Sequence, residues 1–149
     1  NNVLVRDGPA KGIFVREKYA LFNESLTKDI RKHSRAGKGI LSLEVFPYAY
    51  GVDKSMHMLT QNPWAATLYT RGSYTDNIYL SPIMEYFEHR KETPYMIVYY
   101  GKDSFLENPD PNYVIHSFII DNYELVESYN SSDDIYYTIF LEKEKKIDY

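Results

Sequence analysis

The sequence predicts an α+β fold: a predominantly antiparallel β-sheet with one main helix at about Ser81–Lys91. Three observations carry this. The last third of the chain alternates apolar and polar residues in runs of strand length, separated by turn formers. One segment, "SPIMEYFEHRKE", carries both helix start and helix stop signals. Strands precede and follow that helix in runs, without the regular strand–helix alternation of a parallel α/β protein.

Taken in order, "VLVR" and "GIFVREKYALF" read as extended segments broken by Gly8-Pro9 and Gly12. "NESLTKDIRKHSRAGKG" is polar and basic. It fits either one short helix from Ser25 or Thr27 to His33, or a loop. In "ILSLEVFPYAY", Leu41, Leu43 and Val45 share one face and Ser42 and Glu44 the other; Pro47 ends the strand because it has no N–H to donate. "WAATLYT" reads as a strand or a segment packed across a sheet. For the main helix, Ser81 is the N-cap and Pro82 occupies the first turn, where its missing N–H costs nothing. Ile83, Met84 and Phe87 form its apolar face, His89, Arg90 and Lys91 suit the negative C-terminal end, and Thr93-Pro94 stops it.

"YMIVYY" then reads as a buried strand, and "YVIHSFII" and "YELVESY" as two more, joined at Asp121-Asn122. "NSSDD" is a turn. In the final strand, "IYYTIFLE", Ile135, Tyr137, Ile139 and Leu141 fall on one face and Tyr136, Thr138 and Phe140 on the other. Both faces are apolar or aromatic, so this strand is central or covered.

The 149 residues fit one domain spanning 1–149. With no cysteine, the chain forms no disulfide, thiolate metal site or cysteine nucleophile. The formal charge of −4 gives no global attraction to nucleic acid or to an anionic membrane. No apolar run approaches the roughly 20 residues that span a bilayer, so no membrane insertion is expected, and "NNVLVRDGPAKG" lacks a signal-peptide apolar core. The glycosylation sequons at Asn23 and Asn130 are read as chance matches.

The 16 tyrosines stand out. A tyrosine ring with its polar tip suits half-buried strand faces and protein interfaces alike. Catalytic signals are sparse. No two of His33, His57, His89 and His116 have helical metal-ligand spacing, and "RAGKGI" lacks the phosphate-loop pattern. His57 between Met56 and Met58 and the pair Asp133-Asp134 read as structural, the latter as a turn. The basic run Lys28, Arg31, Lys32, Arg35 and Lys38 reads as a solvated loop or as a contact with phosphate or an acidic protein. No catalytic residue, cofactor or metal is expected, and no nucleic-acid partner.

Four ordered pieces, "GKGILSLEVFP", "IMEYFEHR", "TPYMIVYY" and "VIHSFIIDNYELVESYNSSDDIYYTIFLEKEK", together resemble the N-terminal domain of LysM-type baseplate (hub or wedge) proteins of contractile phage tails and tailocins. That family's last unit reads as an Ile-x-x-Phe strand, an acidic turn and an Asp-x-Tyr-Tyr-x-Leu-x-Leu-Lys strand. Ile115, Phe118, Asp134, Tyr136, Tyr137, Ile139, Leu141 and Lys143 fill those places. The resemblance covers roughly residues 37–146 and does not include a LysM module. It implies a non-enzymatic structural subunit of the virion or tail-like particle, made in the bacterial cytoplasm. Its partners would be other hub, wedge or tube proteins in a multi-copy assembly. Residues 1–36 are then an extended partner-binding arm and 143–149 an exit tail, with Val3, Leu4, Val5, Arg31, Lys32, Arg35, Tyr48, Tyr50 and Trp64 as interface candidates. The alternative is a small ligand- or glycan-binding module with an aromatic cleft.

Overall fold

The computed structural model describes residues 2–43, 49, 51–58, 92–109, 114–131 and 134–144. The main helix expected at Ser81–Lys91 falls outside the described residues, Glu92 excepted beyond it, as do "WAATLYT" and Pro47. Within them the fold is α+β. A short ribbon pairs β1 (Asn2–Leu4) with β2 (Phe14–Arg16) in antiparallel register, and the helix α1 (Glu17–His33) follows directly. The larger sheet contains β3 (Gly39–Leu43), β4 (His57–Met58), β5 (Met96–Tyr99), β6 (Tyr123–Asn130) and β7 (Tyr136–Glu142). Its order is β4-β3-β5-β7-β6. β3 runs parallel to β4 and β5, whereas β7 is antiparallel to both β5 and β6, so three of the five strand pairings in the two sheets are antiparallel. A 3-10 turn at Asp103–Leu106 and the helix α2 (Val114–Asn122) lie between β5 and β6.

The expectation for the last strand holds. β7 lies between β5 and β6, and Tyr137, Thr138, Ile139 and Phe140 are all buried. On the face toward α1, Tyr137, Ile139, Met96, Val98 and Ile40 pack with Leu26 and Ile30. On the opposite face Phe140 meets Phe105 of the 3-10 turn, and Tyr99 sets its ring edge against the same phenylalanine. The sheet is therefore covered on both sides, which explains why "MIVY" is apolar throughout.

Two readings of the sequence are corrected. Residues 17–33 are not an extended arm, and the helix read from Ser25 or Thr27 to His33 is the second half of a longer one. They form a 17-residue helix whose Leu26, Thr27 and Ile30 are fully buried. Phe22, Leu26 and Ile30 recur every fourth residue and make one narrow apolar stripe, enough to dock on a sheet that is otherwise complete. Glu17 in the first turn and Arg31, Lys32 and His33 in the last turn match the helix dipole. The second correction is "YVIHSFII", which is helical. A short apolar run is ambiguous between strand and helix. Here the carbonyls at the run's end are taken up locally: the Asn122 side chain donates to the Phe118 carbonyl at 2.9 Å, and the Lys143 ammonium donates to that of Ile120 at 3.3 Å. The Ile115–Phe118 spacing thus lies on a helix, not on the strand that the resemblance implied. Lys143 also donates its backbone N–H to the Asn122 carbonyl, so it belongs to the folded body; residues 145–149 of the expected tail lie outside the described residues.

A β-bulge between Leu125 and Glu127 shifts the register of β6. With strict alternation Glu127 would face α2. The extra residue turns it to the α1 side, where it pairs opposite Ile139 and accepts from His33 at 2.7 Å and from Lys32 at 3.1 Å.

The fold is clamped at Tyr137. Its hydroxyl donates to the Asp29 carboxylate and accepts from the Ser25 hydroxyl at 2.7 Å, both on α1. Burial, reinforced by the Asp29 hydrogen bond and charge, holds this phenol far above the usual tyrosine range. Replacing Tyr137 by Phe removes the hydrogen bond to a charged partner and is expected to cost about 1.5–3 kcal/mol. The check is the urea midpoint at unchanged slope; a loss below about 0.5 kcal/mol, the range of neutral surface changes, would show that the hydroxyl is not the clamp.

Candidate contact surface

The N-terminal ribbon is built as a ledge on α1. Cross-strand pairs place Val3 opposite Val15, both half-buried, and Leu4 opposite Phe14, both exposed. The turn between the strands is closed by hydrogen bonds from the Val5 N–H to the Ile13 carbonyl and from the Gly12 N–H to the Val5 carbonyl. Gly12 has φ +91°, a left-handed conformation in which a side chain is strained. Two contacts then tie the ledge to α1. The Arg6 N–H donates to Glu24, and the Arg31 guanidinium grips both oxygens of Asp7 at 2.9 and 2.7 Å. The Arg31 hydrogen bond holds the Asp7 carboxyl below the ordinary aspartate value. Both partners of this pair are half exposed, so it fixes geometry more than it adds stability.

The interface candidates separate accordingly. Leu4 is 44% exposed and available, whereas Val5 is 0% exposed and belongs to the interior. Alternation is the reason: Val5 follows Val3 by two residues and falls on the same inward side of the ribbon. Arg31 and Lys32 are bonded within the chain to Asp7 and Glu127. Arg35 lies over the Tyr95 ring at 5.9 Å. Tyr48, Tyr50 and Trp64 lie outside the described residues.

Sequence reasoning missed the more prominent members of this surface. Phe14 is 66% exposed and Ile13 54%, and Leu4 is Phe14's cross-strand neighbour. Tyr19 and Leu21, on the first turns of α1, are also exposed. The signal was present in the pairing geometry. Once "VLV" and "FVR" are aligned as a ribbon, alternation puts Val3 and Val15 on one side and Leu4 and Phe14 on the other.

Polar groups outside this ledge form small, separate sets. His57 Nε2 lies 2.8 Å from Glu92 at the β4 edge of the sheet, with both side chains partly exposed. Arg35, Lys38, Glu92, Tyr95, Glu124 and Glu142 line a groove of about 680 Å³ beyond the C-terminal end of α1. Its charges are of both signs. His33 is bound to Glu127, and His116 is stacked on Phe105 at 4.4 Å. Among the described residues no group of three or more His, Asp or Glu is placed to hold a metal ion, and no helix is long and apolar enough to cross a membrane.

The Glu127 cluster has a pH consequence. The hydrogen bond from His33, helped by Lys32, lowers the Glu127 pKa below its ordinary value of 4.5. A carboxyl depressed on folding stabilises the native state above its unfolded pKa, and that stability is lost as pH falls through the folded value. Glu127→Gln should therefore lower stability near neutrality and flatten the decline in stability below about pH 4.5. Urea titrations of both proteins across that range provide the check; parallel pH profiles would show that the cluster is not coupled to folding.

Comparison with protein-family models, with curated proteins and with solved structures finds no match to this chain.

Proposed function

We propose that this chain is a structural subunit of a phage-tail-like contractile baseplate, joining hub, wedge or tube proteins through protein–protein contacts. The observation that carries the contact role is the ledge. Leu4, Ile13 and Phe14 stand in solvent on a ribbon that is braced against α1 by Asp7–Arg31 and Arg6–Glu24. Burying a side chain of this size is worth about 1.5–3 kcal/mol, and pre-fixed apolar anchors lose little entropy on docking. A few such anchors make the centre of an interface. In an assembly of many copies, each contact can be weak because linkage multiplies its effect. The particular assembly comes from the sequence resemblance: the ordered set of glycine-led strand, aromatic helix segment, Pro-led strand and closing Tyr-Tyr strand is what points to a baseplate.

This reading changes what an arm-like N-terminus would do. The ledge has a fixed shape before it meets a partner, so assembly presses two formed surfaces together. Tail-like particles purified from a host expressing the tagged chain should contain it together with sheath and tube proteins. Phe14→Asp should leave the purified chain folded, because this ring is largely in solvent, and should remove it from the particles. Hydrogen exchange at residues 2–16 should slow on incorporation, while α1 is already protected in the isolated chain. Absence of the chain from such particles, or unaltered incorporation of the Phe14→Asp variant with no slowing at the ledge, would overturn the proposal.

A further inference from the structure

On the side of the sheet away from the ledge, β5 ends in a cleft of about 400 Å³. Tyr99, Gly101, Lys102, Phe105, His116 and Tyr136 form its lining. We propose that this cleft is a binding site for a small anion built on one ring, with the ring against the aromatic wall and the charge at Lys102.

Position provides the first argument. The cleft lies beyond the carboxyl end of β5 on the side of its antiparallel neighbour β7, whose Tyr136 joins the lining, and not between β5 and β3. The cleft begins where β5 stops, at Tyr99 and Gly101.

Its walls provide the second. Phe105 is stacked on His116 at 4.4 Å and 18°, and Tyr99 stands edge-on to both, at 5.4 and 6.2 Å. Phe105 and His116 are buried, so this wall is fixed before a ligand arrives. The absence of a side chain at Gly101 leaves the space that the Tyr99 ring occupies. A Cβ at position 101 would come within 2.3 Å of the Tyr99 ring, and Thr138 donates to the Gly101 carbonyl at 3.3 Å. Tyr99 and Tyr136 are only partly buried, so theirs are the aromatic surfaces that a ligand ring can meet, with Phe105 and His116 as the support behind Tyr99.

Charge provides the third. The chain as a whole is acidic, with a formal charge of −4. Yet among the described residues lining the cleft there is no carboxylate, and Lys102 is the cation. Lys102 is exposed and sits 5.3 Å from the centre of the Tyr136 ring, at the mouth. Ser104 and Asn108 add uncharged hydrogen-bonding groups there. A carboxylate held at this rim keeps water on one side, which lessens its desolvation cost.

A sugar acid and an aromatic carboxylate share this chemistry, and titration of the full chain separates them. Glucuronate and benzoate are added in turn, with glucose as the neutral control, and backbone amide shifts are followed by NMR. At least one of the two anions should bind with Kd of about 1 mM or tighter and shift residues 99–108 and 116. Its identity names the source. Lys102→Ala should weaken that anion about tenfold, to the level of the neutral control, since one charge-assisted contact is removed. Gly101→Ala gives a second readout. The atoms it would crowd are at the far end of the Tyr99 ring, which can swing, so the chain should fold while binding changes. Failure of both anions to bind, or binding that Lys102→Ala leaves unchanged, overturns the proposal.

Discussion

Tyr137 joins the two halves of this molecule. Its ring is buried in β7, with Tyr129 stacked beside it at 5.3 Å and Phe22 edge-on at 5.5 Å. Its hydroxyl reaches out of the sheet to Ser25 and Asp29 on α1. A Phe here would fill the same space, but would leave the middle of the helix without a polar contact to set its rotation and height. The hydroxyl fixes both, because two α1 side chains one turn apart converge on one oxygen. The ledge then inherits its position from α1 through Arg31 and Glu24. An exposed apolar ledge at the start of the chain is thus held in place by a strand more than a hundred residues later.

The tyrosine-rich composition takes on a physical meaning in this light. Tyrosines in this sheet act as apolar bodies whose tips find partners elsewhere. Tyr137 reaches α1, and Tyr123, also buried, donates to the Pro94 carbonyl just before β5. Burial raises the Tyr123 phenol far above its usual range, with the neighbouring Glu142 adding to the shift. Both phenols stay neutral and act as donors at any ordinary pH. Each connects a strand to a segment that does not pair with it, which a wholly aliphatic core cannot do.

How far the sequence disclosed this arrangement depended on the kind of signal. β5 and β7 were legible because apolar residues on both faces admit few alternatives to a covered strand. β6 was legible by its alternation, although the bulge that points Glu127 at α1 was not. α1 was obscured by composition. Its apolar stripe is thin, and charged residues fill the remaining positions, so it read as an arm. α2 was obscured for the opposite reason: five of the seven residues from Val114 to Ile120 are apolar, and periodicity is hard to read in so short a run. Of the first strand's candidates, the alternation that leaves Leu4 exposed and Val5 buried was not legible, since it depends on how the ribbon lies on α1. The cleft at β5 was illegible, because it is assembled from the 3-10 turn, α2 and β7, and no local pattern announces a wall made from three elements.

The position of β7 bears on how the chain reaches this state during synthesis. In space β7 lies between β5 and β6, yet in sequence it comes after both. Emerging from a ribosome, β3 and β5 can pair, but among the described strands β6 has no partner until β7, Tyr136–Glu142, has been made. Until then α1 lacks its anchor, since Ser25 and Tyr137 are 112 positions apart. Pairings of such long range are closed late and slowly. The nascent polypeptide therefore exposes the apolar stripe of α1 for most of its translation and the edge of β5 only near the end, and transiently bare surfaces of this kind are the ones prone to aggregate.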